Sequence, residues 1–119
     1  VVDNINRTCL HHAAAAGNSL GIRFTIQVLE YRYKKETGLQ IEEGKNVPAV
    51  EQLLNAQTTG GVTPLMKAAE VLSTPTVLYL LQLGADPFIE DNRGRNARRY
   101  VLKLNKNHDV YKFLLKAEQ

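Results

Sequence analysis

Apolar residues in this chain come in short bursts at helical spacing, punctuated by Gly, Pro, Asn and Asp. The pattern predicts a helix from about Thr8 to Ala16, stopped by the turn Gly17-Asn18. The next segment reads two ways. Leu20, Ile22, Phe24, Ile26 and Val28 alternate like a strand, while Ile22, Ile26, Leu29 and Tyr33 form a helical stripe. A loop is expected over 37–46, and Val47-Pro48 opens a short helix to about Leu54, with Pro48 in its first turn. Helices are predicted over Pro64–Val71 and Pro75–Leu83, the latter turning Val77, Leu80, Leu81 and Leu83 toward neighbouring layers. Phe88-Ile89 is expected to cover part of the next turn. The last two helices fall near Ala97–Leu104 and Asp109–Lys116, with Val110, Phe113, Leu114 and Leu115 apolar and Lys103, Lys106, Lys112 and Lys116 solvated.

The same short phrase opens three of these helices. It reads Thr8-Cys9-Leu10-His11-His12-Ala13-Ala14, then Thr63-Pro64-Leu65-Met66-Lys67-Ala68-Ala69, and more loosely Asn96-Ala97-Arg98-Arg99-Tyr100-Val101-Leu102. Gly61 and Gly94 precede the later copies 33 residues apart, with Asn6 in the matching place of the first. Such a period marks a stacked array. Thr63 suits a helix cap, and Ala68 and Ala69 let neighbouring helices approach closely. Gly17 and Asn105 fall between paired helices. In the middle copy Leu72 stands there, before Ser73-Thr74-Pro75, so an altered turn is expected. The array context decides residues 20–36 for a helix, expected to be buried on more than one face. Asn6 and Gly61 are 55 residues apart, so some 22 residues are inserted before the second copy. Insertions of that length are more often functional or mobile than neutral.

Gly61-Val-Thr-Pro-Leu-Met-Lys-Ala-Ala69 and Tyr79-Leu-Leu-Gln-Leu-Gly-Ala-Asp-Pro87 resemble the ankyrin repeat. The resemblance is close over 56–119, good over 3–17 and poor over 18–55. It implies an all-α solenoid of helix-turn-helix units joined by β-hairpins, forming one domain over 1–119. The units would cover about 3–57 with an insertion at about 36–48, then about 58–90, then a cap over about 91–119. It also implies that a histidine at His11 organises backbone hydrogen bonds around the hairpin. Arg98 stands where the family has a buried Leu, as expected of a terminal unit with a polar outer face.

Composition adds bounds. With 44% apolar and 23% charged residues, the chain is ordinary for a soluble globular protein. No apolar run approaches membrane-spanning length and no signal peptide is visible, so no membrane insertion is expected and the location is expected to be cytoplasmic or nuclear. The chain begins at Val1 rather than Met, which admits a piece of a longer protein. One cysteine allows no internal disulfide, and Cys9 is expected as a small packed side chain. The net charge of +3 divides into +3 over residues 1–35, −6 over 36–92 and +6 over 93–119. Such asymmetry can guide a charged partner.

Candidate chemistry is thin. Cys9, His11 and His12 lack zinc-ligand spacing, so no metal is expected. His108 is expected to be solvated. Glu42-Glu43 read as solvated loop carboxylates that would pair with Asp91 as general acid and base only by coincidence, and Gly60-Gly61 lacks the surroundings of a phosphate-binding loop. No nucleophile motif is present, so neither catalysis nor a cofactor is expected. The basic run Arg93, Arg95, Arg98, Arg99, Lys103 and Lys106 has only Tyr100 within range to stack a base, which makes nucleic acid an unlikely partner.

The resemblance therefore implies a module that binds a protein through a concave face of hairpin tips and first helices. The family's variable positions fall on Asn4, Ile5 and Arg7, on Thr59, Val62, Glu70 and Val71, and on Asn92, Arg93, Arg95 and Lys103. Ala15 and Ala16 leave the first unit smooth there. The alternatives are a docking segment within a larger enzyme or channel and, behind it, nucleic-acid binding through the basic end.

Overall fold

In the three copies of the phrase, the first residue caps a helix in the same way. The backbone amides of His11, Met66 and Arg99 donate to the side-chain oxygens of Thr8, Thr63 and Asn96, at 3.4, 3.3 and 3.1 Å. Each bond satisfies a donor that the first helical turn leaves open. The computed structural model describes residues 8–41, 47–105 and 108–118. Its helices are α1 (Cys9–Ala15), α2 (Ser19–Thr37), α3 (Pro48–Leu54), α4 (Pro64–Glu70), α5 (Thr74–Gln82), α6 (Ala97–Asn105) and α7 (Asp109–Ala117). Among the described residues there is no strand, and the hairpins expected at Gly61 and Gly94 are tight hydrogen-bonded turns, while the one expected at Asn6 lies outside the described residues.

The helices stack in two rows. α4 packs between α1 and α6, α5 touches both α2 and α7, and the rows join as the pairs α1–α2, α4–α5 and α6–α7. Helix α3 leans on α2. The result measures 46 × 32 × 22 Å, elongated as a stack should be. Leu10, Ala14, Leu65, Ala68, Ala69 and Val101 fill the inner row, and Ile22, Val77, Leu80, Val110 and Leu114 the outer. A buried Leu, Ile or Val side chain contributes about 1.5–3 kcal/mol, while the buried alanines matter by letting backbones approach.

Several expectations need correction. Helix α2 is helical throughout but buries only one face, carrying Ile22 and Ile26 with Leu29 and Tyr33 beside them. Leu20, Phe24, Val28 and Tyr31 point outward. Cys9 is exposed rather than packed, because α1 turns Leu10, His11 and Ala14 inward instead. Phe88 is exposed, leaving Ile89 to cover the turn, and Leu115 is exposed beside the buried Leu114. His108 is not merely solvated: its Nδ1 accepts from the Val110 amide at 3.1 Å and caps α7.

The turn at Leu72 is not altered either. The amides of Leu72 and Ser73 donate to the Ala69 and Ala68 carbonyls, as those of Gly17 and Asn18 do to Ala14 and Ala13. Leu72 takes a φ of +55° to do so, close to the +67° of Gly17. A non-glycine residue in that region costs about 1–2 kcal/mol, which the stack around the turn imposes.

Candidate functional site

Two turns built on one plan stand at the ends of the loops before α4 and α6. In the first, Thr58 N donates to Val62 O at 3.0 Å and Gly61 N to Thr58 O at 2.8 Å. In the second, Asp91 N donates to Arg95 O and Gly94 N to Asp91 O, both at 2.9 Å. The leading side chain closes each turn from within. Thr58 Oγ1 accepts from the amides of Gly60 and Val62, and Asp91 Oδ1 from those of Arg93 and Arg95.

The turns are also tied to each other. Asn92 N donates to Gly60 O at 3.0 Å, and Asn92 Nδ2 to Thr59 O at 2.9 Å. Gln57 Nε2 bridges Gly61 O and Glu90 O at 2.8 and 3.1 Å. Gly61 sits at this contact with φ +82°, where a Cβ would come within 2.6 Å of Asn92 Oδ1 and 2.8 Å of Asn92 N. Only glycine fits.

His11 ties the α1–α2 pair to the first of these turns. Its Nδ1 accepts from Thr8 N at 3.1 Å, so Nε2 carries the proton and donates to Val62 O at 2.7 Å. Burial, above all, lowers its pKa below the ordinary histidine value, although the bond to Val62 acts in the opposite direction. At the matching place Met66 only accepts, from Thr63 N at 3.4 Å, and has no proton to give the next turn. Cys9 and His12 face outward while His11 is buried, so the three do not converge.

Asp91 anchors the second turn. Its side chain is 2% exposed. Besides the two amides, it accepts from Arg95 Nε at 3.0 Å and from the Tyr100 hydroxyl at 2.5 Å. The Arg95 guanidinium lies 4.8 Å over the Tyr100 ring. Burial opposes ionisation of Asp91, but the Tyr100 hydroxyl, the Arg95 and Arg93 amides and the Arg95 side chain outweigh it and hold the carboxyl at about 2. Burial first, and then Asp91, pushes the Tyr100 hydroxyl up to about 12, and Glu70 on α4 adds to the effect. Asp91 is thus a buried, fully engaged anchor of its turn.

The expected partner-binding residues divide by what holds them. Thr59, Glu70, Val71, Asn92, Arg93 and Lys103 are exposed, on the two turns and the ends of α4 and α6. Val62 is half-buried against the core. Arg95 is committed to Asp91 and Tyr100, and the Asn92 amide to the neighbouring turn. Glu70 holds a loose pair with Lys67 at 3.7 Å. Asn4, Ile5 and Arg7 lie outside the described residues. In the basic run, Arg98 pairs with Glu118 across α6 and α7, and Asn96 Nδ2 donates to the same carboxylate at 3.0 Å. Arg93, Arg99 and Lys103 hold no ion pair among the described residues, and Lys106 lies outside them.

This stack of short helix pairs with interlocked turns has known counterparts, and over one stretch the sequence itself decides the matter: residues 60–92 match the ankyrin repeat family. These residues are an ankyrin repeat. No curated protein sequence matches the chain. Among solved structures, the chain is similar to one in the complex of the predatory endopeptidase Bd0816 from Bdellovibrio bacteriovorus with immunity protein Bd3460, at 25% identity and a TM-score of 0.65. That match covers 93% of this chain but 46% of the other. A second is in the complex of the yeast ribosomal protein Rps3 with its chaperone Yar1, at 23% identity, TM-score 0.73, and 96% and 68% coverage. The second likeness shows the fold alone. The matched stretch 60–92 takes in the first turn from Gly60 onward, all of α4 and α5, and the Asn92 amide bond to Gly60 O that locks the next turn onto it.

Proposed function

We propose that this chain is a non-catalytic module that binds a protein through the turn tips and the exposed ends of α4 and α6. The observation that carries the reading is the locking of the tips by Asn92 and Gln57, which fixes the backbone while Thr59, Arg93 and Lys103 remain exposed. A face already ordered loses little conformational freedom on binding. The first of these similar structures is a complex between proteins, which supports the same use here. With Glu70, Arg93 and Lys103 all exposed, the proposed face suits a partner surface of mixed charge. The engagement of Arg95 by Asp91 and of Arg98 by Glu118 favours a protein over nucleic acid, because it removes two charges from the basic run. Within this reading the division at about 57 and 90, with Asn4, Ile5 and Arg7 extending the face, remains our proposal, as does an intracellular location.

The test is the triple variant Glu70→Lys, Arg93→Glu, Lys103→Glu, which spares Arg95 because that residue also holds the second turn. Crosslinking and mass spectrometry in native lysate should show loss of specific partners at an unchanged melting temperature. An unchanged partner set refutes the face.

A further inference from the structure

Helix α2 is apolar on two opposite sides. Ile22, Ile26, Leu29 and Tyr33 face the stack, while Leu20, Phe24 and Tyr31 are 74%, 67% and 68% exposed and Val28 is 38% exposed. The spacing of 20, 24, 28 and 31 forms one stripe along about three helical turns. With aromatic side chains offering about 150–250 Å² each, the patch is on the order of 500 Å², near the upper end for a monomer. Basic residues border it on both sides, Arg23 and Lys34 on one and Arg32 and Lys35 on the other. All four are exposed and hold no ion pair among the described residues. Glu30 and Glu36 are the acidic exceptions. At the C-terminal end of the stripe, Val28, Tyr31, Arg32, Lys35 and Glu36 line an open cleft of about 560 Å³.

We infer that the outward face of α2 docks an amphipathic helix of a partner protein whose apolar stripe is flanked by Asp and Glu. The basic borders select acidic flanks. They disfavour a second copy of this chain, since pairing two α2 stripes sets Arg and Lys against Arg and Lys. The cleft favours a shaped partner over a lipid surface, because it has room for a projecting side chain among apolar Val28 and Tyr31, the cations Arg32 and Lys35, and Glu36. This surface is separate from the turn tips and stands or falls apart from them.

The experiment uses the full chain and two labelled synthetic helical peptides of about 18 residues, five helical turns. Both carry the same Leu stripe; one has Glu flanks and the other Lys flanks. Fluorescence anisotropy should give at least about tenfold tighter binding of the Glu peptide, weakened by salt. Phe24→Ser with Tyr31→Ser should cost about tenfold, the effect of losing aromatic anchors. Circular dichroism should show the fold unchanged, since both side chains are exposed. Arg32→Glu with Lys35→Glu should reverse the preference between the peptides. Absence of binding, equal binding of the two peptides, or indifference to either double variant overturns the proposal. So does tighter retention on phosphatidylserine-containing vesicles, or dimerisation that the serine variant abolishes.

Discussion

Replacing Asp91 by Asn isolates the anchor of the second turn. The substitution keeps the side-chain shape, so Oδ1 still accepts from the Arg93 and Arg95 amides. The new amide nitrogen, however, faces Arg95 Nε and the Tyr100 hydroxyl, both donors to the native carboxylate. Tyr100 can rotate its proton away and accept; Arg95 Nε cannot. A hydrogen bond to a charged group contributes about 1.5–3 kcal/mol, and the side chain is too buried for water to replace it fully. We expect a loss of about 2 kcal/mol, which at about 4 °C per kcal/mol for a chain of this size lowers the melting temperature by about 8 °C. The pH dependence has a definite sign. Because the folded carboxyl lies at about 2, its contribution is full above the ordinary value near 4 and is lost as the pH falls through 2. Thermal melts followed by circular dichroism at pH 7, 4 and 2 should therefore show a gap between native and variant that closes in acid. A variant melting within about 1 °C of the native chain at pH 7, or a gap that persists at pH 2, refutes the reasoning.

Three other perturbations probe the stack. His11→Gln should remove stability that the native chain holds fully above the ordinary histidine pKa and loses as the pH falls below it, so urea midpoints at pH 7 and pH 5 should differ less in the variant. Leu72→Gly should be more stable than Leu72→Ala by about 1 kcal/mol, reversing the usual helix order, because the residue sits at φ +55°; equal denaturant midpoints would contradict this. Gly61→Ala should cost at least about 2 kcal/mol through its clash with Asn92 and its positive φ, whereas Gly94→Ala should cost about 1 kcal/mol, since the nearest atom to an added Cβ there is 4.0 Å away. Equal losses in chemical denaturation would place the cost in φ alone.

The helices were legible because their signals are local. Thr8, Thr63 and Asn96 cap within three residues, Pro48 and Pro64 lie in first turns, and the small Ala pairs mark where helices meet. What escaped the sequence depends on neighbours distant along the chain or on competition between positions. The anchoring role of Asp91 was not visible in the sequence because Tyr100, on α6, turns back over it. Arg95 read as available for a partner for the same reason. In α2, the helical stripe of Ile22, Ile26, Leu29 and Tyr33 was visible and does face the stack, but the strand-like alternation of Leu20, Phe24 and Val28 hid a second apolar side that nothing in the described structure covers. The turn at Leu72 looked irregular because sequence preference was taken for geometry, and the packing around it overrides the preference. The period of Gly61 and Gly94 was the most transferable signal, since a positive φ at a tip recurs with the architecture.

The unlike joints on either side of α4 give the array a direction. The joint to α1 and α2 runs through a proton on His11 Nε2, and its geometry fails when Nδ1 is also protonated, as the Thr8 amide then faces another donor. The joint to α6 and α7 runs through the Asn92 amide beside a carboxylate that ionises down to about 2. The two joints therefore answer differently to acid: a second proton on His11 removes the acceptor of the Thr8 amide at the first, whereas the contact at the second is made by an amide that carries no titrating proton.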